Sequence, residues 1–196
     1  MGTAHRVTHP AGDVRIADAG APAAAAAHSQ GVSGPPAHVA VRIMLLHYLL
    51  QADGTPPAGD WVVFRELPDG LFYAASFVAR AEAPLEVAFG GPATAGGPVT
   101  AGGPETAGAS AAAVGLNAFR RAAAAAGGEP FAAADAAFAF RALPLLRLGV
   151  MLWEGDDEFP ARAQIVFDAS AGHCLPAEDL AGLGGLLARR LVTHRG

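Results

Sequence analysis

The chain has 196 residues, and 48 Ala, 25 Gly and 15 Pro leave about 54 larger apolar side chains, enough for one core and not two. All 13 basic residues are Arg, which excludes a P-loop for nucleotides and Schiff-base or pyridoxal phosphate (PLP) chemistry; at net charge −5 no basic stripe exists for nucleic acid. The lone Cys174 excludes an internal disulfide and an iron–sulfur cluster, and points to a reducing, cytoplasmic compartment.

Residues 1–37 lack periodicity, aromatic residues and Leu, and are expected to form a disordered leader because they cannot offset the entropy of ordering. Asp13, Arg15 and Asp18 break any apolar run, so no secretion signal is expected, and Arg6 stands where a myristoylation site needs Ser or Thr. Four of the seven His residues fall in or next to this stretch at irregular spacing, which suits a solvated tail better than a metal site.

From His38 to Ala52, Val39, Ile43, Leu46 and Leu50 mark one helical face, and Val41, Leu45, Tyr48 and Leu49 a second. The pattern predicts a helix buried on both sides. Its apolar core is too short, and too interrupted by Arg42 and His47, to span a membrane. His47 is then either a core histidine satisfied by a carbonyl or a site residue facing a pocket. Asp53-Gly54-Thr55-Pro56-Pro57 ends the helix. After it, Trp61 to Glu66 and Leu71 to Ala79 read as two strands of a hairpin across the turn Leu67-Pro68-Asp69-Gly70.

Three hexapeptides follow, beginning at Gly90, Gly96 and Gly102, each opening Gly-Gly-Pro. Lacking an apolar row to stack, residues 90–107 are expected to be a flexible insert within a domain running from 38 to 196. Ser110 to Ala126 reads as an Ala-rich helix capped by Gly127-Gly128. Ala132 to Phe140 is ambiguous, since Ala favours helix while Phe138 and Phe140 alternate as in a strand. Leu145 to Trp153 is apolar on both alternating sets, the pattern of a central strand. Ala161 to Asp168 returns as its neighbour with Arg162 and Gln164 on the wet face. A last helix begins near Pro176, with Leu180, Leu183, Leu187 and Leu191 as its buried stripe. These elements define an α+β fold: a mostly antiparallel, possibly mixed sheet packed with about three helices.

Between those two strands lies Glu154-Gly155-Asp156-Asp157-Glu158, with four carboxylates in five residues. Such crowding either serves a hard cation or proton transfer, or simply keeps a turn solvated. Pro160 and Ala161 exclude an EF-hand loop starting at Asp156. Cys174 beside His173 is a weak nucleophile–base pair, because adjacent side chains usually point apart.

The ordered blocks Leu46-His47-Tyr48-Leu49, Trp61 to Gly70, Leu152 to Ala161, Phe167-Asp168 and Leu175 to Asp179 together resemble the family catalogued as domain of unknown function 3786. The resemblance covers about residues 40 to 190 and implies a setting in anaerobic bacteria and archaea, some members adding a cysteine-rich iron–sulfur segment that this chain lacks. It marks His47, Tyr48, Arg65, Glu66, Trp153, Glu154, Asp156, Asp157, Glu158 and Asp168 as positions of interest, with no activity, cofactor or metal assigned. Two function classes follow. One is an accessory or binding module for a small ligand, a cofactor or a redox-enzyme partner; the other is an enzyme using the acidic cluster with His47.

Overall fold

The computed structural model describes residues 4–8, 13–17, 39–90, 111–155 and 158–195. The rest of the expected leader, nearly all of the hexapeptide insert, and Asp156 and Asp157 lie outside the described residues. The chain divides into two units, Met1–Ala52 and Asp53–Gly196.

In the first unit, β1 (Ala4–Thr8) pairs antiparallel with β2 (Asp13–Ala17), His5 opposite Ile16 and Val7 opposite Val14. The sequence reading places no element there, although the β-branched Val7, Thr8, Val14 and Ile16 are what a strand takes. Helix α1 spans Val39–Gln51. Met44, Leu45 and Tyr48 form one buried stripe, whereas Val39, Leu49 and Leu50 are exposed, so the expectation of burial on both sides is not met.

The second unit is built on a five-stranded sheet in the order β3-β7-β6-β5-β4, from Trp61–Val63, Arg162–Asp168, Leu146–Trp153, Ala136–Leu143 and Glu129–Pro130. Every pairing is antiparallel. The apolar strand β6 is central as expected, and the ambiguous stretch resolves as strand from Ala136. Strand pairing prevails there because Phe138 and Phe140 fall opposite Val150 and Leu148 on one face.

The expected hairpin is corrected. β3 pairs with β7, far along the chain, and after a short 3₁₀ turn at Phe64–Glu66 the segment from Gly70 is helical. It runs as α2 (Gly70–Phe77), one wider π turn (Val78–Glu82) and α3 (Ala83–Phe89). Gly70, Phe77, Ala81, Leu85, Ala88 and Phe89 are buried at helical spacing. The two-residue alternation of a strand would have sent Phe77 and Leu85 to one face and Ala88 to the other. Asp69, at φ 59, makes the turn that admits the helix.

Helix α4 (Ala111–Ala125) ends as its glycines predict: Gly128 N–H donates to Ala123 O and Gly127 N–H to Ala124 O, the two bonds of a Schellman cap. Helix α5 (Ala177–Thr193) buries Leu180, Gly184, Ala188 and Leu191. Leu183 and Leu187 are only half-buried, so the predicted leucine stripe is rotated toward the small residues, where the Phe77 ring sits over Gly184. The core lies between these helices and the sheet face carrying Phe138, Val150, Leu152, Ile165 and Phe167. Its aromatic centre is Phe77, stacked on Phe64 at 4.2 Å and tilted against Phe167 at 5.9 Å.

Strand β3 covers only the last three residues of β7. Beyond it, two glutamates one helical turn apart take the place of a strand: Ile165 N–H donates to Glu82 Oε1 at 3.0 Å and Ala163 N–H to Glu86 Oε1 at 3.1 Å. The backbone donors of an otherwise open edge are thereby satisfied from the helix, which also protects that edge from strand addition.

Candidate functional site

The loop 53–60, Asp-Gly-Thr-Pro-Pro-Ala-Gly-Asp, has two prolines and few side chains to hold it, yet both ends are fixed by carboxylates. At one end Asp53 accepts the Thr55 N–H at 2.8 Å and meets His173 Nδ1 at 2.9 Å, with both side chains about half exposed. At the other end stands Asp168, only 1% exposed, the last residue of β7. Its carboxylate accepts the N–H groups of Ala58 (2.8 Å), Gly59 (2.9 Å) and Ser170 (3.0 Å) and the Ser170 hydroxyl (2.6 Å). The strand end and the following 3₁₀ turn (Ala171–His173) thus brace a loop more than a hundred residues earlier.

The charges respond accordingly. The Thr55 hydroxyl and N–H, with the His173 ring, hold Asp53 down at about 2. Burial alone would raise Asp168, but the Ser170 hydroxyl and N–H and the Gly59 and Ala58 N–H groups outweigh it and hold the carboxyl below the usual range. Glu82 shifts the opposite way, raised first by burial and then by the charge of Glu86.

Stability linked to Asp53 and Asp168 is therefore present above about pH 4, the unfolded carboxylate range, and is lost as pH falls through their lowered values. That linked to Glu82 is present below its unfolded value and is lost as pH rises through its raised one. Melting midpoints from pH 2 to 8 should show an acid limb that is shallower in Asp53→Asn and, above the ordinary glutamate range, a decline that is weaker in Glu82→Gln. Profiles parallel to wild type would remove these assignments.

Directly after the braced loop comes Trp61, opposite Asp168. Its ring stacks on Phe131 with centroids 5.3 Å apart, and the Arg147 guanidinium carbon lies 5.6 Å from its centroid. Gly149 makes the platform possible: a Cβ there would come within 3.2 Å of the Phe131 ring and 2.7 Å of Val166. Trp61, Phe131 and Arg147 are all half-buried, so this cationic aromatic platform is accessible at its rim. A planar group bearing a negative charge fits such a surface by stacking and by pairing with Arg147.

The sequence profile of the family described as "Domain of unknown function (DUF3786)" matches residues 22–95 and 109–190. The chain belongs to that family. No curated protein and no solved structure matches it. The break in the DUF3786 match, residues 96–108, falls on the second and third hexapeptides.

Of the positions marked in this DUF3786 chain, Asp168 at the end of β7 braces the loop 53–60, accepting from Ala58, Gly59 and Ser170. Arg65 and Glu66 lie exposed in the 3₁₀ turn after β3, where Glu66 accepts the Val63 N–H at 3.3 Å. Trp153 ends β6 opposite Arg162, and the next residue, Glu154, donates its N–H to Asp135 Oδ2 at 2.8 Å. Glu158 is exposed in the same turn. His47 (half-buried) and Tyr48 (buried) stand on α1 in the first unit.

The pairing of His173 with Asp53 supplies the orienting carboxylate that sequence reading did not find, because the two are 120 residues apart. Cys174 is no part of that pair. It is buried, its thiol 3.6 Å from Leu145 O, and burial together with the Asp53 and Asp168 charges raises it further from the reactive thiolate. Phe131 and Arg147 also escaped sequence reading, since an isolated aromatic and an isolated Arg carry no spacing signal.

Proposed function

We propose that this DUF3786 chain is a binding module whose working surface is the Trp61–Phe131–Arg147 platform with the adjoining loop 53–60, and that it takes a small planar, anionic ligand or the equivalent group of a larger partner. The observation that carries this reading is a half-exposed stack under a cation, set beside a loop whose backbone is fixed by Asp53 and Asp168. Prefixing both loop and ring lowers the ordering cost of binding. Asp168, Glu82 and Glu86 each accept backbone N–H groups of the scaffold, a use that favours architecture over proton transfer.

Trp61 is one of only two Trp residues, so Trp153→Phe makes it the sole indole reporter. Titration of that variant with flavin mononucleotide, folate and benzoate should give saturable quenching with at least one of them, abolished by Arg147→Ala. A flat response to all three removes the platform from consideration. The same titration in Asp156→Asn, Asp157→Asn, Glu158→Gln tests whether the acidic turn forms part of the rim; unchanged quenching returns it to the role of a solvated turn.

A further inference from the structure

We infer that the outer face of α2 is a self-association surface that joins two copies of this chain through antiparallel α2 helices. From Gly70 to Ala79 the sequence carries no charge, and the buried side of the helix is taken by Gly70 and Phe77. The opposite side, continued into the π turn, presents the exposed Phe72, Ala75 and Ala79 as one ridge, with Leu71 and Val78 along its flank. Phe72 is 85% exposed and Leu71 74%, values unusual for residues of this size on a helix with a well-packed inner side. With ~150–250 Å² for a whole aromatic side chain, the face amounts to roughly 400–500 Å², at the upper end of what a monomer leaves in water. Two such faces bury on the order of 1,000 Å², the threshold for a specific interface.

A second copy fits this face better than an unlike partner because its ends are complementary to themselves. Asp69 precedes the uncharged stretch and Arg80 follows it, both exposed. Their midpoint falls at Ala74–Ala75. A twofold axis passing there runs the helices antiparallel and sets Asp69 of one copy opposite Arg80 of the partner subunit, about 8 Å either side of the axis at 1.5 Å per residue. At the crossing point both helices carry Ala, which permits close approach. A parallel arrangement would instead place Asp69 against the partner's Asp69.

Sedimentation velocity of the full chain, from low to high micromolar concentration, should show a monomer–dimer equilibrium. Phe72→Glu and Ala75→Arg should each raise the dissociation constant roughly thirtyfold or more, with the melting midpoint of the monomer unchanged because both sites face solvent. Arg80→Glu should weaken the dimer by setting like charges opposite. Adding Asp69→Asn, which the backbone at φ 59 tolerates, should restore much of the loss. Three results overturn the inference: a wild type that stays monomeric throughout, a dimer indifferent to Phe72→Glu, or an Arg80→Glu effect that Asp69→Asn does not relieve. A monomer that instead cosediments with phosphatidylcholine vesicles would assign the face to a membrane surface.

Discussion

Asp168→Ala is expected to lower the unfolding free energy by about 3–4 kcal/mol, the sum of a few charge-assisted hydrogen bonds less what water recovers. Of the four groups that lose their acceptor, the Ala58 and Gly59 N–H groups sit in an exposed loop and can hydrate. Ser170 is 4% exposed, so its N–H and hydroxyl are left without a partner inside the protein. Asp168→Asn retains one acceptor oxygen but turns an NH₂ toward a backbone donor, and should cost about half as much. Urea midpoints with unchanged m-values are the measurement, accompanied by a midpoint fall of roughly 6–15 °C on heating for the alanine variant. The result also separates two roles for this residue. A brace shows the stability loss even without any ligand; a residue reserved for ligand contact would leave stability near wild type.

This brace shows where the sequence was legible and where it was not. β6 was legible because burial on both faces writes an unbroken apolar run, and α4 because its Gly127-Gly128 cap is local. Leu71 to Ala79 reads as a strand although it is helical, because Leu71, Phe72 and Tyr73 put large apolar side chains on the exposed side. That choice defeats any reading in which apolar means buried. The acidic turn drew attention through local charge density, whereas the loop 53–60 is organised by Asp168 and His173, and its platform by Phe131 and Arg147. Hydrogen bonds and stacking between residues about 70–120 positions apart have no local spacing, so neither periodicity nor motif search can register them. Asp168 is marked by the family's blocks as a position of interest, and its four bonds to Ala58, Gly59 and Ser170 join the end of β7 to the loop 53–60.

The second large effect concerns the place where α2 meets α5. Phe77 is 2% exposed, stacked on Phe64, and its ring lies where a side chain on Gly184 would go: a Cβ there would be 2.6 Å from the ring. Phe77→Ala should cost about 3–5 kcal/mol, since it empties the centre of the aromatic cluster. Gly184→Ala alone should cost about 1–3 kcal/mol by overpacking, reduced by up to ~1 kcal/mol from the better helix propensity of Ala. The two sites share one space, so their effects cannot add. In the Phe77→Ala background, Gly184→Ala should become stabilising, because the new methyl enters the space that the ring has left and replaces a helix-interior glycine. A double-mutant cycle read by urea denaturation should therefore return a coupling of about 1–3 kcal/mol in favour of the pair. Strict additivity would mean that α5 is positioned by Leu180, Ala188 and Leu191 without reference to Phe77. In that case the small residue at 184 would have to be explained by something other than the aromatic cluster.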